Sequence, residues 1–522
     1  MAVNYSDDLF QLIKSLTKAE KRYFKLLSGT TGGEKNYLRL FDAIDRQTTY
    51  DEEAIREQFG NERFTRQLHV AKNYLYDQIM RTLRSYHDEG TPAITAKTML
   101  HNVEILREKG LFKQAGKVLK KTVEYLEERE MHIELQAALN QQERLAMLAR
   151  GEEDIIEELN TRRRDSLSRF ERIVEYNYLL MRMEVALSHG HPRNAAALDI
   201  LEQLHNNPLL QIPRGQCSPR EQWFADWIDL LFHYARRDYG RAYQHLMYLI
   251  SEFDGNPRLV QEKPVEYLTL MNNVLALENK LGNYEGFLRT HARLMQESAG
   301  LAAHQGLQRG YVQPLLFTAL YMRMAMFLTD YGEFARCVEL ADSCNRDMMK
   351  WGELAPEIEF AMFHHVVAYA QFALGRYAQA LDLVNDIINS PDPRRQENVY
   401  YSARLFAMII HYELGNIEYT GCLARSMYRM FKSRDSLHRF ERIILGFFQR
   451  LLRLRTRGEL QQELILLREQ LLPLSTDPLE QGPFSYFDYI SWLDSRIEGI
   501  SFAEAVQRKR SSATLPAIPQ FP

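Results

Sequence analysis

Nine short connectors, at residues 110, 151, 190, 237, 282, 332, 375, 415 and 458, constrain the fold of this chain more than any other feature. In the clearest, ALGRYAQALDLVNDIINSP at 373–391, Gly375 is followed by Tyr377 and then by Ala380. KLGNYEGFL has Gly282 before Tyr284, DYGEFARCVEL has Gly332 before Phe334 and Cys337, and EKGLFKQAGKVL has Gly110 before Phe112 and Ala115. ARRDYGRAYQHL keeps Tyr239 and Ala242 but carries Arg237 in the glycine place, and Gly151, Gly190, Gly415 and Gly458 mark weaker copies. Such a glycine can close a helix in the left-handed conformation, the aromatic can wedge between two helices, and the small residue lets them approach closely. Apolar residues recur at three- and four-residue spacing throughout, and alternating β-branched runs are nearly absent, so the chain is expected to be all-α.

The first and last connectors are 458 − 110 = 348 residues apart, or eight intervals averaging about 43 to 44 residues. A duplicated decapeptide supports that period. RDSLSRFERI at 164–173 and RDSLHRFERI at 434–443 match at nine of ten positions, 270 residues apart, which is six intervals of 45. They begin 26 and 24 residues before Gly190 and Gly458, so each is expected to open the first helix of a repeat. Asp165 or Ser166, and Asp435 or Ser436, would then be N-caps that accept from the orphan amides of the first turn. Leu167, Phe170, Ile173 and Val174, and Leu437, Phe440, Ile443 and Ile444, would form the core-facing stripe. A shared ligand-contacting role is the alternative reading of the pair.

From roughly 100 to 470 these stretches resemble the tetratricopeptide repeat, and the 364–391 unit matches it best. The family's large aromatic early in the first helix and its closing proline are mostly missing, and its period is shorter, about 34 residues. The resemblance implies an α-solenoid of about eight long helix pairs, period about 44, whose superhelical groove holds a protein or peptide. It sets the expected domains: an N-terminal helical domain at 1–90, the repeats at 91–472, C-terminal capping helices at 473–506, and a disordered tail at 507–522. The N-terminal block SLTKAEKRYFKLLS is also similar to the start of bacterial helical-repeat proteins that carry no assigned activity.

Bulk properties exclude several classes. Lys and Arg total 65 against 69 acidic residues, a net of −4, so there is no global basic field for nucleic acid or an anionic membrane. Four cysteines, at 217, 337, 344 and 422, are too few for a disulfide framework. MAVNYSDDLFQLIK lacks the layout of a secretory signal, and the apolar PLLFTALYMRMAMFL at 314–328 is short and interrupted by Arg323. No membrane span and a cytoplasmic location are expected.

Catalytic signatures are missing: there is no phosphate loop, dinucleotide fingerprint, HExxH or nucleophile elbow. No enzyme activity, cofactor or metal is expected. GTTGG at 29–33 reads as a linker, and the adjacent His364 and His365 point to different helix faces. Cys337 and Cys344 suit close packing, and Met322, Met324, Met326, Met348 and Met349 suit a core.

One charged feature rises above this background. Residues 431–458 hold eight basic residues against two acids. On a continuous helix Arg439, Arg442, Arg450, Arg453 and Arg457 would fall in an arc of roughly 80°, beside an apolar face. Such an arginine stripe is the expected partner-binding site, suited to an acidic protein or peptide. Glu459, Glu463 and Glu469 on the following helix are the groups that could neutralise it. A second layout is similar to bacterial regulators that join an N-terminal helix-turn-helix to tetratricopeptide repeats. There Arg63, Arg66, Lys72, Arg81 and Arg84 would face DNA under control of a ligand in the groove. Residues 1–90 hold 14 basic and 14 acidic residues, which speaks against nucleic acid.

Overall fold

The computed structural model describes residues 5–29, 36–60, 62, 64–87, 91–148, 153–187, 195–302, 309–351, 357–389, 397–434 and 436–510. The connectors at Gly151 and Gly190, most of GTTGG, Asp435, the tail after Arg510, and the side chains of Met348 and Met349 lie outside them. The fold is all-α: helices pack in neighbouring pairs, with no strand among the described residues. The chain divides into two compact units, one ending at Leu167 and one beginning at Ser168.

The first unit holds α1 (Tyr5–Ser15), α2 (Lys18–Gly29), α3 (Asn36–Arg46), α4 (Glu52–Phe59), α5 (Leu68–Tyr86), α6 (Pro92–Glu108), α7 (Phe112–Glu128), α8 (His132–Leu148) and the start of α9 (Glu153–Leu187). Its buried apolar residues form two clusters, one running from Leu9 to Ile79 and one from Ala96 to Leu159. Lys72, which the helix-turn-helix reading pointed outward, is buried. Its ammonium donates to Glu52 Oε2 at 2.6 Å and to the Tyr50 hydroxyl at 3.1 Å. The hydrogen bonds from Lys72 and Arg56 hold the Glu52 carboxyl down to about 2.

The first decapeptide corrects the expected repeat start. Residues 164–173 lie in the middle of α9, a continuous helix of 35 residues, so neither Asp165 nor Ser166 is a cap. The preceding EDIIEELNTRR consists largely of good helix formers, and the helix is already running when it reaches Asp165. Ser166 is instead buried, 3.1 Å from His132 Nδ1, while Leu167 and Val174 are about half exposed.

The second unit is built from helix pairs joined by one recurring turn: α11 (Pro219–Ala235) with α12 (Tyr239–Ser251), and α14 (Pro264–Leu281) with α15 (Tyr284–Ala302). It continues with α17 (Arg323–Asp330) and α18 (Phe334–Trp351), α19 (Glu357–Ala373) and α20 (Tyr377–Ile388), and α21 (Glu397–Glu413) and α22 (Ile417–Ser433). The short α10 (Ala195–His205), α13 (Pro257–Glu262) and α16 (Arg309–Phe317) lie between or before the pairs. Gly282, Gly332, Gly375 and Gly415 all have φ between 70° and 79°, and Arg237 adopts 61° in the same place. In each turn the next amide donates back to the carbonyl five residues earlier, as Asn283 does to Glu278 and Asp238 to His233. The turns are spaced 282 − 237 = 45, 332 − 282 = 50, 375 − 332 = 43 and 415 − 375 = 40 residues apart. The residue that follows three positions after the wedge (Ala242, Phe287, Cys337, Ala380 and Thr420) is fully buried in every pair.

Three connectors depart from the expected pattern. Phe112 is 45% exposed and does not act as a wedge. Glu130, at φ 52°, makes the same turn between α7 and α8 without a glycine to announce it. Gly458 is no turn residue: it sits in the first turn of α24 (Arg457–Leu471), which Thr456 and Glu459 open with a capping box.

After α23 (Arg439–Leu451) and α24, residues 473–488 hold only two short 3-10 turns, Pro473–Ser475 and Gly482–Ser485, before α25 (Tyr489–Glu498) and α26 (Phe502–Arg510). More than a terminal cap, this region enters the same core as the pairs: Leu474, Phe487, Trp492, Phe502 and Val506 are buried in it. The indole of Trp492 donates to Glu413 Oε1 at 2.7 Å, and Arg496 pairs with the other oxygen at 2.9 Å. Residues Tyr311–Asp330 are long and apolar enough to cross a membrane by length and composition alone, yet 67% of that window is buried among neighbouring helices.

Candidate functional site

Within the second unit, a cavity of about 280 Å³ lies between α11, α14, α17, α19, α21 and the segment Gly482–Tyr486. The segment and the Phe487 that follows it are held by a backbone carbonyl and by aromatic packing. His365 Nε2, on α19, donates to the Tyr486 carbonyl at 3.1 Å, which fixes the tautomer. The Phe487 ring sits among Tyr369, Phe372, Phe406 and Phe502, with ring centroids 4.9–5.7 Å apart. Burial pushes the His365 imidazole down to about 4. A second cavity, about 510 Å³, shares Tyr239, Lys280, Met326, Met362, Ser485 and Tyr486 with the first, so the two are contiguous.

Arg323 is the unusual group in this lining. It follows a five-residue π-helical turn, Thr318–Met322, and its own amide closes that turn by donating to the Thr318 carbonyl. The sequence gives reasons for the extra residue. Pro314, inside α16, has no amide to donate. The Thr318 hydroxyl donates to the Pro314 carbonyl at 3.0 Å and competes for that acceptor. Two buried side chains then satisfy carbonyls of the distorted run: Asn272 Nδ2 donates to Leu315 at 3.0 Å and His291 Nε2 to Leu320 at 2.9 Å. A π-turn advances the face of everything after it by about one residue, or roughly 100°. Arg323 thereby lines the cavity.

Among the described residues the guanidinium is not ion-paired. Its Nε is shielded from solvent and has no hydrogen-bond partner, and no described carboxylate forms an ion pair with it. Burial pulls its pKa below the usual arginine value, with Tyr234 acting weakly in the opposite direction. The other ionisable groups of the lining are the exposed Lys280 and the buried Glu441. The remaining surface is tyrosine, amide, hydroxyl and apolar, including Phe287, Met326, Met362 and Leu405.

The five stripe arginines do not share one continuous helix, because the helix that would align them ends at Leu451 and a new one starts at Arg457. Arg439 opens α23, where the Glu480 carboxylate accepts from the Arg439 and Phe440 amides at 3.0 Å each. That carboxylate takes the capping role expected of Asp435 or Ser436, and the Ser436 amide closes the turn leaving α22 by donating to Phe431. Arg442 Nε bonds to the Leu437 carbonyl, and Arg450 pairs with Glu463 at 3.0 Å. Arg453 lies in the turn between the helices, and Arg457 is the first residue of α24. Arg439 and Arg453, 14 residues apart with a helix between, are separated by about 20 Å along its axis. Glu463 neutralises Arg450 as the alternative anticipated, whereas Glu459 is used in its own helix cap.

Sequence reading missed a histidine–carboxylate cluster. Asp226 and Asp229, one turn apart on α11, meet His245 from α12, and one ligand-type atom from each lies within 4.8 Å of the others. The set has the donor chemistry for a divalent cation. Its carboxylates already face cationic or imidazole partners: Arg214 and His245 on Asp226, and His205 on Asp229 at 3.0 Å. His233 stacks on His245, and burial followed by that neighbour lowers its pKa. The i,i+3 carboxylate spacing was visible in the sequence, but the partner helix that completes the cluster was not.

The chain matches no protein-family model, and no curated protein is similar to it in sequence.

Proposed function

We propose that the second unit is a non-catalytic, tetratricopeptide-like α-solenoid that binds a peptide or protein partner, acting as a scaffold or adaptor. The observation that carries this reading is the seating of residues 482–488. A non-α segment, opened by the 3-10 turn Gly482–Ser485, lies across the first helices of successive pairs, held by a backbone carbonyl on His365 and an aromatic ring in a pocket of rings. Backbone hydrogen bonds and side-chain pockets are general means of holding a peptide. The cavity beside the segment leaves room for an anchoring group from a partner. A cytoplasmic location belongs to the same reading and is supported by four free thiols, two of them fully buried.

The test is selection of a displayed peptide library against the intact chain. Enriched peptides should compete with one another and lose binding when the cavity is filled by Ala276→Trp or Met362→Trp. Peptides whose binding ignores both substitutions would overturn the assignment of this cavity.

A further inference from the structure

We infer that the Arg323 cavity recognises a carboxylate attached to an apolar body, with the guanidinium as the anion's seat and the phenylalanine, methionine and leucine side chains around its body. This rests on the reading that the second unit holds a ligand in this cavity, and it names the chemistry of that ligand.

Three independent observations converge on it. First, arginine stays protonated in proteins, so burying it without a partner is costly, and buried charges are otherwise paired. Arg323 has no such partner among the described residues, and its Nε is an orphaned donor. Second, the chain goes out of its way to place it there. A π-turn immediately precedes it, with Asn272 and His291 committed from two other helices to satisfying the carbonyls of that run. π-turns inside helices are concentrated at functional sites. Third, the cavity selects the size and charge of the occupant. Arg323 and Lys280 against Glu441 leave one net positive charge in the lining, which one carboxylate balances. A phosphate dianion would carry surplus charge toward the buried Glu441. At about 280 Å³ the space is at the lower end for ligand pockets, suited to a small acid or one terminal residue of a peptide. The planar guanidinium matches a carboxylate with two parallel hydrogen bonds.

The carboxylate has two possible sources: a free organic acid or the C-terminus of a peptide. The test uses the full chain, with isothermal titration and thermal shift as readouts. The probes are phenylpropionate against phenylpropionamide, and a short peptide ending in free phenylalanine against the same peptide amidated. Binding by an acid and not by its amide supports the inference, and which of the two acids binds more tightly identifies the source. Arg323→Met should weaken the acid by roughly tenfold or more, and Arg323→Lys should restore only part of it. The inference is overturned if acid and amide behave alike, if neither acid binds, or if Arg323→Met binds unchanged. Should library-selected peptides still be lost on filling the cavity while Arg323→Met leaves them bound, the cavity reading survives and the carboxylate does not. Loss of neither removes both.

Discussion

Replacing Arg323 by methionine should make the unliganded protein more stable, which is the reverse of what most buried substitutions do. Methionine keeps the length and apolar contacts of the arginine stem and removes a guanidinium that has no ion-pair partner and an unsatisfied Nε. An unsatisfied buried polar group costs about 1–3 kcal/mol, and a buried unpaired charge more. Arg323 is intermediate in exposure overall, so part of its charge is solvated and the lower part of that range applies. The expected gain is about 1–2 kcal/mol. For a cooperative unit of roughly 350 residues this is a rise in Tm of about 1–3 °C, and it should appear in urea as a higher midpoint at unchanged slope. The measurement belongs at low ionic strength and without added organic acids, since an anion bound by the native protein would mask the gain. A loss of about 1 kcal/mol or more on substitution would refute the reasoning. It would mean that Arg323 is well satisfied where it sits, and the basis for assigning the cavity to an anion would go with it.

Three further outcomes follow from the same structure. His365 is held neutral with its pKa down near 4 against an ordinary 6.5, so the unfolded chain takes up a proton that the folded chain refuses. Stability should therefore fall as pH drops from about 6.5 toward 4, by up to about 3 kcal/mol for 6.5 − 4 = 2.5 units, and His365→Asn should flatten that slope in denaturant titrations. Glu480→Ala removes the carboxylate from the Arg439 and Phe440 amides; a cost of about 1–2 kcal/mol is expected, with faster hydrogen exchange confined to the first turn of α23. Gly282→Ala should destabilise by about 1–2 kcal/mol because the turn needs φ near 70°, whereas Arg237→Gly at the equivalent turn should stabilise by about 0.5 kcal/mol. Equal effects at the two turns would show that φ is not what the glycine supplies.

What was legible in the sequence was local. A glycine that must adopt positive φ, an aromatic two residues on and a buried residue three further depend on one turn and its two helices, and the motif at Gly282, Gly332 and Gly375 carried that information. The duplicated decapeptide shows where locality fails. Nearly identical residues are mid-helix at 164–173 because a strong helix already precedes them, and straddle a helix start at 434–443 because Glu480 arrives from 40 residues later to cap it. The continuous helix assumed for the arginine stripe was lost for a similar reason. The 100° wheel assumed continuity across Leu451 to Arg457, where the Thr456 and Glu459 capping box restarts the helix. Arg237 and Glu130 fill turn positions by paying strain in place of glycine, which leaves no compositional trace. The cavity is the extreme case, since its lining combines residues from 234 to 486.

Arg323 interrupts the apolar run at 314–328, and in the sequence its only consequence was to argue against a membrane span. The fold gives that interruption a different meaning. The described turns between the helix pairs repeat one hydrogen-bond pattern, and some helix starts carry caps, such as Ser218 and Glu221 on α11. Two rules are broken within six residues, by a π-turn at Thr318–Met322 and by a partly buried guanidinium that forms no ion pair among the described residues. Either one alone lowers stability. Simple packing would remove both, with a regular helix and a leucine or methionine at 323. Deviations that cost stability and coincide at one cavity are expected where function sets the residue. That coincidence, and no single distance, is the ground on which we propose the cavity's role, and it is why the Arg323→Met variant should gain stability as it loses the acid.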